Sequence, residues 1–260
     1  MNKLIGKQTI KYIGSLKDKK YRQISNCYVA EGEKIVLDSL KNNPDMVEQI
    51  FATSDWLVKN NGYIPSNIRT FEADMAEIKK ISSFKTIPEV IALMRIEHHN
   101  PDPDELVREL SLVLDTVQDP GNLGNIIRIA NWFGIRNLIC STDCADCYNP
   151  KVVQASMGAI IRVKVHYTNL EPFLKKMSEF SDYVIYGTLL DGDSIYDASL
   201  SKIGAIVLGN ESKGISDLIT PFIKKKIYIP SFEERADTVE SLNVAAATAI
   251  VCAEFRRHAG

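Results

Sequence analysis

The 260-residue sequence has no apolar run approaching the ~18 to 20 residues that span a bilayer as a helix. Its opening, MNKLIGKQTIKYIGSLKDKKYR, also lacks the apolar centre of a secretion signal. A cytoplasmic protein with no membrane partner is expected. A large excess of either charge is lacking as well: the net charge is −2, so the molecule is no polycation and any nucleic-acid binding must come from local patches. Cysteine is scarce and odd in number, five in all, which argues against a disulfide framework. Three of the five crowd into CSTDCADC (Cys140, Cys144, Cys147), but no second C-x-x-C pair exists and the histidines fall at no ligand spacing. A zinc site needs four such ligands, and no metal is expected.

A hydrophobic content of 45% at this length can bury one large core or two modest ones. The first 22 residues hold seven basic side chains (Lys3, Lys7, Lys11, Lys17, Lys19, Lys20 and Arg22) against one acid, Asp18. Charge alone reads this as a solvated helix face. YVAEGEKIVLDSLKNN has helical spacing, with entry near Glu31 and Gly32, and strand-like and amphipathic runs then alternate up to the strand PEVIALMRI. EHHNPDPDEL breaks that pattern with prolines and acids. The expected division is an N-terminal domain over 1–97, a linker over 98–110 and a second domain over 111–260. In the second domain LSLVLDTV, NLIC, YVIYGTLL, GAIVLG and KKIYIP are Val- and Ile-rich runs between helical stretches. Such alternation predicts an α/β parallel sheet covered on both faces.

Ligands of such sheets bind beyond the carboxyl ends of the strands. After the first strand comes QDPGNLGNIIRIANWFG, whose glycines suggest a phosphate cradle at a helix start. The loop lacks the Gly-Lys-Ser/Thr end of a Walker loop and has only G-x-x-G where a dinucleotide fingerprint needs G-x-G-x-x-G. A nucleotide-binding oxidoreductase loses its support with that fingerprint, and Arg128 has no use in a cradle. NESKGIS follows GAIVLG and reads as a polar turn. In SFEERADTVESLNVAAATAIV, Ser241 is the expected helix cap, which leaves Asn243 in the first turn unexplained.

LDTVQDPGNLGNIIRIANWFGI, IVLGNESKGIS and IYIPSFEERADTVESLNVAAATAIV together resemble, in order, the three motifs of the SpoU or TrmH family of RNA 2′-O-ribose methyltransferases, of the SPOUT class. NPKVVQASMGAIIRVKV resembles the segment linking the first two motifs, and SLKDKKYRQISNCYVAEGEKIV the start of an appended substrate-binding domain with a ribosomal-protein RNA-binding fold. The acidic stretch Ser231–Glu240 is longer than the family's usual connection, and the Cys144 and Cys147 pair lies outside its pattern.

The resemblance implies a deep trefoil knot, a homodimer, and methyl transfer from S-adenosyl-L-methionine to a ribose 2′-hydroxyl. It favours ribosomal RNA over transfer RNA as substrate. It places the cofactor around Thr188, Leu189, Gly209, Ile229, Leu242 and Val244, and RNA on Lys17, Lys19, Lys20 and Arg22. For catalysis it nominates Arg128, oriented with the ribose by Asn122, Glu211, Ser241 and Asn243. A guanidinium titrates above ~12 and is a poor base. Either its charge is suppressed, or it grips the neighbouring phosphate and that phosphate takes the proton; the second fits bidentate arginine chemistry better. A binding-only assembly factor on the same fold need not keep Arg128, which this sequence retains.

Overall fold

The computed structural model describes residues 3–233 and 241–257, so seven residues of the acidic stretch, 234–240, lie outside the described residues. The chain forms two compact units, Met1–Glu97 with Asp146–Ile161, and His98–Ala145 with Arg162–Gly260. No helix among the described residues is long and apolar enough to cross a membrane.

The first unit runs β1 (Lys3–Leu4), α1 (Lys7–Ser15), α2 (Lys19–Ser25), β2 (Cys27–Glu31), α3 (Glu33–Asn42), β3 (Val47–Ala52), α4 (Ser54–Asn60), β4 (Arg69–Glu72), α5 (Met75–Ile81) and β5 (Val90–Arg95). Its mixed sheet has the order β1-β4-β3-β5-β2. YVAE closes β2, and the helix expected to be entered near Glu31 and Gly32 follows it directly. Gly32 at φ +105° turns the chain, and helical geometry starts at Glu33. All five residues of β2 are buried, which in a strand requires cover on both faces.

The second unit contains α6 (Pro103–Leu106), β6 (Leu110–Leu114), α7 (Pro120–Trp132) and β7 (Asn137–Ser141). The chain then contributes α8 (Pro150–Ala155) to the first unit and returns with β8 (Lys164–Thr168), α9 (Leu170–Ser178), β9 (Val184–Ser194), β10 (Gly204–Leu208), β11 (Lys225–Tyr228) and α10 (Val244–Arg257). The six strands are all parallel, in the order β11-β9-β10-β6-β7-β8. β6 and β10 sit inside this sheet and are buried at all five positions, as their unbroken apolar runs require.

The observed division differs from the expected one in two places. Residues 98–110 are not a free linker: His99 bridges to His166 at the β8 edge, and Leu106, 2% exposed, lies in the core of the second unit. Residues 146–161 count with the first unit, because Asp146 pairs with Arg22 at 2.6 Å, the Tyr28 and Tyr148 rings lie 4.6 Å apart, and α8 packs on β2. The Arg22 guanidinium is buried and also donates to the carbonyls of Leu16 and Lys17 at 2.8 and 2.9 Å. Removing one partner of such a pair strands a buried charge. Asp146→Ala is therefore expected to destabilise the first unit by about 3 kcal/mol, read as a lowered urea midpoint with unchanged slope.

Candidate active site

The sheet order reverses between β6 and β10: the chain winds outward from β6 through β7 to β8, then builds the other half with β9, β10 and β11. The carboxyl ends of β6 and β10 thus form a topological switch point, where parallel sheets bind their ligands. Two turns meet there. Asp115, after β6, donates its N–H to the Leu208 carbonyl at 2.9 Å and accepts the Ser216 N–H on its carboxylate at 2.8 Å. Asn210, after β10, donates to the Thr116 carbonyl at 2.9 Å and accepts the N–H groups of Ser212 and Lys213. Thr116 takes φ +60°, a conformation L-residues seldom adopt unless neighbours impose it.

α7 opens on Pro120, with Asp119 as its N-cap accepting the Asn122 N–H at 2.8 Å. This cap fixes Asn122 in the first turn, where its side chain joins the other two motifs. The Asn122 amide donates to Glu211 at 2.5 Å, and its carbonyl oxygen accepts from the Asn243 amide at 2.9 Å. The Asn243 carbonyl oxygen in turn accepts the N–H groups of Ala245 and Ala246 at 3.0 and 3.3 Å. Asn243 is therefore the cap of α10, in place of Ser241, and the same side chain extends the polar chain. A carboxylate at one end and a helix N-terminus at the other polarise both amides in one direction.

Arg128 is exposed on α7, seven residues after Gly121 and so on the same helix face. Ser241 is exposed two residues before the α10 cap. Among the described residues neither hydrogen-bonds to the Glu211–Asn122–Asn243 chain.

The six residues expected around a cofactor fall midway along β9, just past the carboxyl ends of β10 and β11, and at the start of α10. Pairing between β9 and β11 is interrupted: Lys226 faces Gly187, but the next residue, Ile227, faces Asp193. Residues 188–192 therefore leave the ladder as an excursion carrying half-buried Thr188 and Leu189. Gly192 brings it back against β11, where a Cβ would lie 2.5 Å from the Lys226 carbonyl carbon. Gly209 follows β10 and Ile229 follows β11, both half-buried, while Leu242 is exposed and Val244 buried. These groups are apolar side chains and backbone, a donor set that fits an uncharged heteroaromatic ring and a methylene chain better than a phosphate.

Lys17, Lys19 and Lys20 are exposed in the first unit. Arg22, grouped with them on sequence, must be removed from the RNA-contacting set, because its guanidinium is spent on Asp146 and two carbonyls. Asp115 is not among the expected site residues, and Asn210, expected in a polar turn, both forms that turn and holds Thr116. A buried acid directly after a strand and an Asn directly after its terminal Gly were the available signals.

A family model described as the SpoU rRNA Methylase family matches residues 109–253, and one described as an MRM3-like substrate binding domain matches residues 7–92. The 23S rRNA guanosine 2′-O-methyltransferase RlmP of Bacillus subtilis is 28% identical over 254 residues, covering 96% of each chain. A solved structure from Porphyromonas gingivalis, assigned to the TrmH family of RNA methyltransferases, superposes with a TM-score of 0.86 at 36% identity, covering 98% of this chain and 99% of that one. An rRNA methyltransferase of Sinorhizobium meliloti, solved with S-adenosylmethionine bound, gives 0.84 at 26% identity, covering 98% and 97%.

Proposed function

As a member of the SpoU rRNA methylase family, the chain is an S-adenosylmethionine-dependent RNA 2′-O-methyltransferase, and we propose that it acts on ribosomal RNA through the residues assembled at the β6/β10 switch point. The observation that carries this reading is the Glu211–Asn122–Asn243 chain, which joins three sequence-distant motifs beside the helix that bears Arg128.

S-adenosylmethionine, when bound, supplies a methyl carbon made electrophilic by its sulfonium. Thr188, Leu189, Gly209, Ile229, Leu242 and Val244 would hold it, through backbone groups and apolar contact. Arg128 grips the phosphate next to the target ribose with its planar fork. That phosphate takes the 2′-hydroxyl proton and leaves the oxygen lone pair free to attack; the cofactor, when bound, would supply the methyl group, the carbon–sulfur bonding pair departing with the sulfur. Asn122 and Asn243 orient the ribose, Glu211 fixes the direction of both amides, and Ser241 borders the same opening. Holding the ribose oxygen fixed toward the place where the cofactor would present its methyl group is where most of the rate is gained.

Lys17, Lys19 and Lys20 give the first unit an RNA-facing basic strip, in keeping with its match to a substrate binding domain. Ribosomal RNA is favoured because the relatives named above that carry a substrate in their names are rRNA enzymes. A homodimer is part of the same proposal: Trp132 at the end of α7 is 83% exposed and Leu242, just before α10, 52%, large apolar side chains that a second copy would cover. A deep trefoil knot in the C-terminal part of the second unit and a cytoplasmic location complete it.

Purified protein incubated with methyl-labelled S-adenosylmethionine and unmodified ribosomal RNA is expected to yield label on one ribose, recovered as an alkali-resistant dinucleotide. Label recovered on a base, or on transfer RNA in preference, would overturn the substrate assignment.

A further inference from the structure

Arg256, in the last turn of α10, takes no part in the chemistry above, yet its guanidinium is spent on the end of α7, the helix that carries Arg128. α7 finishes in a Schellman turn: Gly134, at φ +64°, donates to the Asn131 carbonyl at 3.2 Å, and Ile135 donates to the Ala130 carbonyl at 2.8 Å. The Arg256 Nε donates to the Phe133 carbonyl at 2.7 Å, and one of its terminal nitrogens donates to the Gly134 carbonyl at 3.2 Å. A two-pronged cation thus closes the negative end of the α7 dipole.

At the opposite end of the same helix pair, the Asn243 amide donates to Asn122 at 2.9 Å. α7 and α10 therefore pack side by side in the same direction, linked through side chains at their starts and again at their ends. The spans between the links match, ~17 Å of helix from Asn122 to Phe133 and ~20 Å from Asn243 to Arg256 at the α-helical rise. Apolar contact between the helices is non-directional and opposes separation more than a small swing. The polar links fix the angle.

Arg128 lies between the two links, after Asn122 and before Phe133. Without Arg256 the far end of α7 keeps its apolar packing and its chain connection to β7, neither of which sets that angle. Because Arg128 lies ~9 Å along the axis from Asn122, a swing of ~10° about the first turn would carry it ~1.5 Å sideways. Displacement on the ångström scale costs rate wherever positioning is what a site supplies. We infer that Arg256 is a positioning residue for methyl transfer, holding the far end of α7 to α10 so that Arg128 meets the substrate phosphate at a fixed angle. The inference rests on the role given to Arg128 above, and Arg256 acts only through it.

A double-mutant cycle separates positioning from general damage. Full-length wild type, Arg256→Ala, Arg128→Ala and the double variant are compared in single-turnover methyl transfer to ribosomal RNA from cells lacking the gene, with S-adenosylmethionine and RNA saturating. Arg256→Ala is expected to slow transfer about tenfold when Arg128 is present and to leave the Arg128→Ala rate unchanged. Calorimetric affinity for S-adenosylmethionine should stay as in wild type. An unslowed Arg256→Ala, equal slowing in both backgrounds, or lost cofactor binding would overturn the inference while leaving the role of Arg128 standing. Full activity in Arg128→Ala alone would overturn that role and the inference with it. If Arg256→Ala does not fold, Arg256→Lys carries the same cycle; it keeps the charge but not the fork, and the expected loss is about threefold.

Discussion

Replacing Arg128 with alanine is expected to slow methyl transfer by roughly 10²–10³-fold, the usual scale for removing one donor from a site of developing charge. S-adenosylmethionine binding should stay unchanged. The two effects separate because Arg128 stands exposed on α7, whereas the proposed cofactor residues come from β9, the ends of β10 and β11, and the start of α10. Single-turnover rates and calorimetric titration of the cofactor read the two quantities independently. Arg128→Lys keeps the charge but not the planar fork. It should fall between wild type and alanine if the phosphate is gripped at two points, and match wild type if a point charge suffices. Lost cofactor binding with residual turnover would reject the assignment.

Gly209→Ala is expected to abolish cofactor binding and to destabilise the second unit by about 3 kcal/mol, the upper range for overpacking. A Cβ at this position would lie 2.1 Å from the Gly214 carbonyl carbon and 2.3 Å from both the Gly214 oxygen and the Ile215 nitrogen. Those are backbone atoms in a turn closed by reciprocal Asn210 and Gly214 hydrogen bonds of 3.0 and 2.9 Å, so they cannot swing aside as a flexible side chain would. Opening the turn also releases the Asn210 hold on Thr116 and withdraws Glu211 from Asn122. Gly14→Ala is the control. It sits inside α1 with nothing within 4 Å of the added carbon, and alanine is the better helix former, so stability should hold or rise slightly. Normal cofactor affinity in Gly209→Ala would show that the turn does not shape the pocket.

The parts of this fold legible in sequence are those where one physical demand dominates. LSLVL and GAIVL are unbroken apolar runs because β6 and β10 are covered on both faces. β8 was missed because KVHYT lies at the sheet edge, where Lys164 is exposed and two further positions are half-buried. The role of Arg22 was hidden for a related reason: its pattern matches the exposed lysines around it, and its partner Asp146 lies 124 residues away. At the site, Asn122, Glu211 and Asn243 were found through motif resemblance. Their joining into one polarised chain, and the double duty of Asn243 as cap and link, depend on backbone geometry that no local spacing encodes. Asp115 escaped notice because its carboxylate serves a backbone N–H 101 residues away, a structural use that looks in sequence like any polar strand end.

On this reading the β6/β10 switch point, together with Arg128 on α7, methylates a ribose in ribosomal RNA. The measurement that tests it most directly is nucleotide-resolution mapping of 2′-O-methylation in ribosomal RNA from cells with the gene, cells lacking it, and deleted cells carrying either the wild-type or the Arg128→Ala copy. One position should lose its methyl group on deletion, regain it with wild type and stay bare with the alanine variant. An unchanged map on deletion, or restoration by Arg128→Ala, would contradict the account.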